Sequence, residues 1–496
     1  MTLFGKSAFA GLLALGATLA LPALAQDALR VGQTFLVDNL DPTAGSAGWA
    51  LTSHGVGGQL WSVDAAGRLV PELAQSANRT GDLSWTITLA EGRRFSDGSP
   101  VTAAALKAGF ENTFAKNAPA AATGGKLSFE APDDRTLLVT TERPVAMLPA
   151  LFAEWPLIAY GFDGAGQPLF TGPYKVTGFT ADATLDLAAN PYHPAGADRS
   201  DITLRKFGDA QTMALALQSG ELDLAFGLPV EGLSAIRANP DLTVKSFQVG
   251  YQYFGFLNTE SPTLSDPKLR QAIDLALGRP ELIEAIGNGV PATGAFAPYF
   301  PFAGKVERVS DRYLAGDLLD KAGWTAGSDG KRTKDGVPLR LRLVTYSSRP
   351  DLVTMLPVVA AQLNRLGIAS ETRVVENPGD AAAEGDFDIF LWAQHTAPNG
   401  DPAFFFNSML VSGAALNHAR YKSPAFDAII AKFSETADPE TRNQIALEAQ
   451  DQLFEDVPVT FLIAPEWRVG LSTRLKDYEP WGSDYYVIRP EMGEIR

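Results

Sequence analysis

Four histidines, His54, His193, His395 and His418, and an acid pair two residues apart, Asp386 and Asp388, are the side chains whose types first suggest chemistry. Imidazoles ligate metals or shuttle protons, and two carboxylates at a working distance can hydrolyse a glycosidic bond. Neither pattern is complete. None of the histidines stands at a metal-ligand spacing, and His395 and His418 share a metal only if tertiary folding joins their separate segments. Asp386 and Asp388 share one strand face, where we expect a structural role: one flanks the strand start and the other bonds neighbouring backbone. No Gly-x-Ser-x-Gly elbow is present, and Gly125-Lys126 lacks the upstream Gly and the following Ser/Thr of a phosphate-binding loop. These residues offer no catalytic constellation, although spacing leaves a tertiary acid dyad open.

The 496 residues include no Cys, which excludes zinc ribbons, iron–sulfur proteins, cysteine hydrolases and disulfide scaffolds. With 41 Lys+Arg against 57 Asp+Glu the net charge is −16, a poor match to nucleic acid. At 46% hydrophobic and 20% charged the chain is globular, and its length suggests two to three domains of about 100–200 residues. Lys6, an apolar run over 8–21 and Ala23-Leu24-Ala25 read as a secretory signal peptide over 1–25, cleaved before Gln26. That run is too short to span a bilayer comfortably, no Cys follows it to carry a lipid anchor, and no later run reaches about 18 apolar residues. A soluble protein released across a membrane is expected.

A strand over 29–35 leads into Asp38-Asn39-Leu40-Asp41-Pro42, a turn-rich segment of the kind that brings loop residues to a site. Residues 85–89 alternate as a strand, Asp97-Gly98 turns, and Thr102 caps a helix through 114. Strands over 174–179 and 184–188 precede a helix near 211–218, stopped by Gly220, and a strand over 222–226. From about 260 the pattern is α/β. Asp266 caps a helix with Pro267 at its first position. A strand over 339–344, a helix over 352–366 ended by Gly367 and a strand over 370–375 form a right-handed βαβ unit. A strand over 387–392, a long helix after Asp438-Pro439 and a strand over 457–463 complete the reading.

Several phrases stand in a familiar order: Leu40-Asp41-Pro42, "LVPELAQSANRTGDLSWTITLAEGRRFSDGSPVTAAAL" at 69–106, "TGPYKVTGF" at 171–179, "AANPYH" at 188–193 and "ALQSGELDLAFG" at 216–227. "FGFLNTESPTLSDPKLRQAIDLALGRPELIEAIGNG" at 254–289, "KAGW" at 321–324 and "DFDIFLW" at 386–392 continue it. In these the chain resembles the family 5 periplasmic solute-binding proteins of ABC importers, the oligopeptide, dipeptide and nickel group. The resemblance implies an α/β, two-lobe periplasmic-binding-protein type II fold, cluster C-like, with an extra inserted domain and a ligand cleft between the lobes. Lobe I would take 26–60, 171–258 and 476–496, the inserted domain 61–170 and lobe II 259–475. It also implies hinge closure on a small-molecule solute, no catalysis and no cofactor. A monomer is expected in the periplasm, delivering a peptide, opine or metal chelate to an inner-membrane ABC permease and its ATPase, with no role for nucleic acid.

The resemblance places ligand contacts after the strand that ends in Trp392. In peptide binders an acid shortly after that Trp takes the ligand's α-ammonium. Here counting from Trp392 gives His395, and counting back from Asp401-Pro402 gives Pro398, so neither register supplies an acid. "WAQHTAPNGDPAFFFNSML" at 392–410 and "NHARYKSPAFDAI" at 417–429 look more like the nickel and metallophore branch, whose carboxylate-bearing chelators need cations and aromatics. That branch's paired arginines are missing from 115–125 and 150–158. Arg349 precedes a helix whose N-terminal N–H groups and dipole favour an anion, and the fork of Arg420 suits a carboxylate. The candidate ligand-binding residues are thus Asn39, Arg349, Trp392, His395, Asn399, Asn417, His418, Arg420, Tyr485 and Tyr486, with no direct metal ligand. A secreted hydrolase with an acidic dyad and a chaperone-like polypeptide binder remain as other readings.

Overall fold

A computed structural model describes residues 28–117, 120–121, 125–307 and 309–493; the expected leader over 1–25 lies outside them. Alternation at Leu29–Gln33 buries Leu29 and Val31, and this strand pairs in parallel with Ile202–Lys206 on one side and Leu224–Phe226 on the other. Around it a seven-stranded sheet runs Tyr174–Thr180, Thr184–Ala189, Ile202–Lys206, Leu29–Gln33, Leu224–Phe226, Glu466–Ser472, Leu242–Gln248. Its apolar face closes over Leu51, Tyr174, Leu204, Val469 and Val487.

A second sheet of six strands runs Val290–Pro291, Val459–Ala464, Tyr251–Leu257, Ile389–His395, Arg340–Tyr346, Ala369–Val375. The βαβ unit is present: Arg340–Tyr346 and Ala369–Val375 pair in parallel across the helix Pro350–Asn364. Leu352, Met355, Leu356, Val359 and Leu363 repeat at helical spacing on its buried face, each contributing about 1.5–3 kcal/mol. After the helix Gly367 adopts φ +84, a left-handed conformation that costs a side chain dearly. Asp386 and Asp388 are structural: Asp388 accepts from the Arg342 backbone N–H and Ser261, and both acids pair with the Arg342 guanidinium.

Inserted in sequence between Leu29–Gln33 and Tyr174–Thr180 of the first sheet is a four-stranded sheet, Ala74–Arg79, Ser84–Leu89, Thr136–Thr141, Leu127–Glu130, with its own core of Trp85, Ile87, Phe110, Leu137 and Phe152. Its helix Ala103–Lys116 begins where the Thr102 hydroxyl accepts from the Ala105 N–H, 3.2 Å away.

The lobe boundaries expected at 258 and 475 move. Tyr251–Leu257 pairs in the second sheet, and Glu466–Ser472 returns to the first, so the chain crosses at 249–250 and at 465. The strand expected over 457–463 ends at Ala464 as Val459–Ala464, and a separate strand, Glu466–Ser472, follows it. The breaks come from Gly250, whose N–H turns to Gly482 (2.7 Å), and from Pro465, which has no N–H to continue a ladder. Val249 donates to the Pro465 carbonyl, so the crossings bond one another, with Gly482 alongside. Among the described residues no helix is long and apolar enough to cross a membrane.

Candidate functional site

The crossings decide which side chains meet. Tyr251, the first residue of its strand, stands opposite His395, the last of the neighbouring one, with ring centroids 5.4 Å apart. Arg349, at the start of the Pro350–Asn364 helix, lays its guanidinium over the Tyr251 ring at 4.9 Å. On the other side His395 faces Tyr485, centroid to centroid 5.8 Å. Tyr485 belongs to the short turn Asp484–Tyr486, started by Ser483, whose hydroxyl accepts from the Tyr485 N–H at 3.1 Å.

That turn is held by the helix Ala47–Ser53, whose Ser53 carbonyl accepts from Ile488. The same helix packs on the turn Trp155–Leu157, to which Glu154 is the entry. Gly48 permits this approach: a Cβ there would lie 2.8 Å from the Trp155 carbonyl oxygen. A cavity of about 10 Å³, about the room of one water, lies among Asp64, His395, Pro398, Trp481 and Tyr486.

Several buried polar groups here keep an atom that makes no hydrogen bond. Glu154 is 3% exposed, its Oε1 accepts no hydrogen bond, and burial together with the Asp401 charge pushes its carboxyl up to about 8. Asp484 is 7% exposed and its Oδ1 is likewise unbonded; burial raises it to about 6, against the Trp49 hydrogen bond and the Arg349 charge. Both ring nitrogens of His395 and the Thr396 hydroxyl lack partners, and burial pushes His395 down to about 3, leaving a neutral imidazole at neutral pH. Among the described residues no carboxylate forms an ion pair with Arg349, whose charge faces Tyr251, Tyr253 and Tyr346. Unbonded buried polar atoms gathered in this way make the place a candidate site.

The structure gathers Arg349, His395 and Tyr485, with Tyr486 beside them. Tyr486 accepts from the Val63 N–H at 3.0 Å, joining the C-terminal turn to the Trp61–Val63 strand. Asn399 closes its own loop by accepting from the Asp401 N–H, and Asn39 bonds Asp38 and the Asp41 N–H. Trp392 goes elsewhere. It lies three residues before His395 in one strand and so points to the opposite face, among Tyr346, Phe390 and His418 at 5.1–5.3 Å. Asn417 closes a turn onto Tyr421, donating to its carbonyl at 2.8 Å and accepting from its N–H at 3.0 Å. Arg420 bonds the Ala383 carbonyl and pairs with Glu260 at 3.6 Å. These residues sit at the strand end remote from His395, where Thr259 donates to the Ala419 carbonyl.

Tyr251, Glu154, Asp484 and Trp49 escaped the sequence reading. The signal for Glu154 was available: it is a lone acid inside the apolar run "LFAEWPLIAY" at 151–160. Among the described residues no group of three or more His, Asp or Glu is arranged to hold a metal ion.

Comparison with known proteins agrees with this architecture. The chain is 25% identical over 492 residues to the probable D,D-dipeptide-binding periplasmic protein DdpA of Escherichia coli K12, covering 92% of each. It is 23% identical to the nickel-binding protein NikA of Staphylococcus aureus, covering 88% of each. The crystal structure of a nickel ABC transporter protein from Bacillus halodurans superposes with a TM-score of 0.84 at 26% identity, covering 94% of this chain and 99% of that one. NikA of Brucella suis, solved with Fe(III)-EDTA, shares the fold at a TM-score of 0.82 and 23% identity, covering 95% of this chain and 100% of that one. Residues 68–417 match the bacterial extracellular solute-binding proteins, family 5, and the chain belongs to that family.

Proposed function

We propose that this protein is the substrate-binding component of an ABC importer that traps a small carboxylate-bearing solute between its lobes and hands it, chemically unchanged, to a membrane permease and its ATPase. It works outside the cytoplasm as a soluble monomer, after removal of the leader over 1–25. The observation that carries this reading is Arg349, stacked on Tyr251 beside His395 where the chain crosses between lobes, with no ion-paired carboxylate of its own among the described residues. An arginine fork in partly dry surroundings, at a helix N-terminus, suits a carboxylate. The crossings at 249–250 and 465 supply the few residues about which lobes open and close. Peptides, opine-like conjugates and nickel chelates all carry the required group. Asp386 and Asp388, both held by Arg342, do not supply the acid dyad that a hydrolase would need.

Titration calorimetry against dipeptides, an opine and the nickel–histidine complex, with product analysis, tests the proposal. One of these classes binding once per chain and recovered intact is the expected result. Turnover of the ligand, or binding of unfolded polypeptide alone, would overturn it.

A further inference from the structure

The strands Trp61–Val63 and Leu69–Pro71 form an antiparallel hairpin rooted in the core of the four-stranded sheet, where Trp61 is buried and Leu69 packs. Its turn closes on itself: the Asp64 carboxylate accepts from the Ala66 and Arg68 N–H groups, both at 2.9 Å, and Gly67 takes φ +74. Ala65, Ala66 and Arg68 stand in solvent, as the tip of a hairpin should. Gly67, next to them in the same turn, is buried.

What covers Gly67 belongs to the second sheet. A Cβ at Gly67 would lie 2.5 Å from Phe300 Cδ1 and 3.2 Å from Tyr299 Cε2, so the Phe300 ring rests on bare backbone. Phe300 is anchored in the core of that sheet, stacked on Phe302 at 5.0 Å. From another direction comes the loop after Ile389–His395, where Gly400 adopts φ +71. A Cβ on Gly400 would lie 3.1 Å from the Gly67 carbonyl oxygen and 3.4 Å from Val63 Cγ2. Two segments of one body thus grip the tip of a hairpin that belongs to another, and the cavity of about 10 Å³ lined by Val63, Asp64, Phe300 and Pro398 is the gap left between them. The grip is ring on backbone and backbone on backbone, made of individually weak contacts that depend on shape.

The grip is tied to the crossing. Tyr299 and Phe300 lie ring to ring at 4.3 Å, and the Tyr299 hydroxyl donates to the Gly482 carbonyl at 3.0 Å, the same carbonyl that takes the Gly250 N–H at 2.7 Å. Rotation about the crossing therefore moves Phe300 and Gly400 relative to the hairpin. We infer that the hairpin 61–71 is a latch on the cleft: Phe300 and Gly400 hold its tip while the lobes are together and release it when they part. The chain's own contacts, and not the solute alone, then set the fraction of shut molecules and with it the affinity for solute. The inference rests on the proposed opening of the lobes and is the same for any solute they trap.

The chain has no Cys, so Ala66→Cys and Lys305→Cys, both at exposed positions, place one nitroxide label on each side of the grip in the whole mature protein. With no solute added, electron paramagnetic resonance should read one short separation. Gly67→Ala, whose Cβ overlaps the Phe300 ring, and Gly400→Ala, whose Cβ presses on the Gly67 carbonyl, should each raise the fraction at longer separation about tenfold, as overpacking a filled contact does. Gly92→Ala is the control: its φ of +71 carries the same backbone penalty, its Cβ would meet nothing within 4 Å, and it should keep the short separation. Separations in Gly67→Ala and Gly400→Ala as short as in Gly92→Ala would make the hairpin a fixed support and overturn the latch. Two equally populated separations in the chain with Gly67 and Gly400 intact would overturn it as well. Because no solute is present, the result is separate from the calorimetric test of the receptor reading.

Discussion

The His395 imidazole and the Tyr485 ring face one another at 5.8 Å, the first at the end of a second-sheet strand and the second in the C-terminal turn. Neither ring nitrogen of His395 bonds to protein, so the ring owes its place to packing and to what the cleft encloses. His395→Ala should weaken solute binding about tenfold, the worth of a buried hydrogen bond, and leave the ligand-free melting temperature unchanged or raised. Calorimetry and a thermal scan check the two halves; a large loss of stability would assign His395 to the core.

Gly250 marks the crossing beside it. A Cβ at this position would overlap the His395 ring, so Gly250→Ala should displace the imidazole and reduce affinity as much as His395→Ala does. Combining the two should cost little more than either alone, because the second change finds its target already moved. Additive losses in the double-mutant cycle would mean that Gly250 acts through the crossing and not through His395.

Stability should fall as pH rises from 7 towards 8. The folded-state pKa of Glu154 is raised to about 8 from 4.5, so the folded chain binds more protons than the unfolded one between those values and loses stability as pH climbs through them. His54 and His395, pushed down to about 3 by burial, act oppositely, their contribution being lost as pH falls below 6.5. The two effects oppose each other in acid, and above 7 the acid dominates. A melting curve dropping by a few degrees over this interval in wild type, and flattened in Glu154→Gln, is the expected outcome of calorimetric scans.

The Asp401–Arg442 pair anchors the loop that carries Asn399 and Thr396 towards the cleft, and its guanidinium also lies 4.8 Å over the Phe433 ring. Arg442→Met would leave Asp401 charged and buried near Glu154. A destabilisation of about 3–5 kcal/mol in urea unfolding is expected, far above the value of an exposed pair.

Local signals carried the reading of single elements. Asp266-Pro267 does start its helix, with the Asp266 carboxylate accepting from the Lys268 N–H, and Gly367 does end the crossover helix. These features depend on a few adjacent residues. Sheet membership does not: whether 251–257 pairs with 242–248 or with 389–395 is settled by partners far away in sequence. Trp392 and His395 looked like neighbours in one site because the strand was ended at 392; it runs on to 395, and strand parity then separates them. Arg349 and Tyr485 were legible because charge at a helix start and aromatics near the C-terminal crossover mean something locally. Glu154 and Asp484 were not weighed, since an unpaired buried acid is visible only against the acids that have found their arginines.

Native mass spectrometry of the protein isolated gently from the cells that make it tests the central claim most directly. The account predicts one small adduct per chain, released intact on unfolding and carrying a carboxylate. A chain that carries no small molecule, or one loaded with heterogeneous polypeptide, would contradict it.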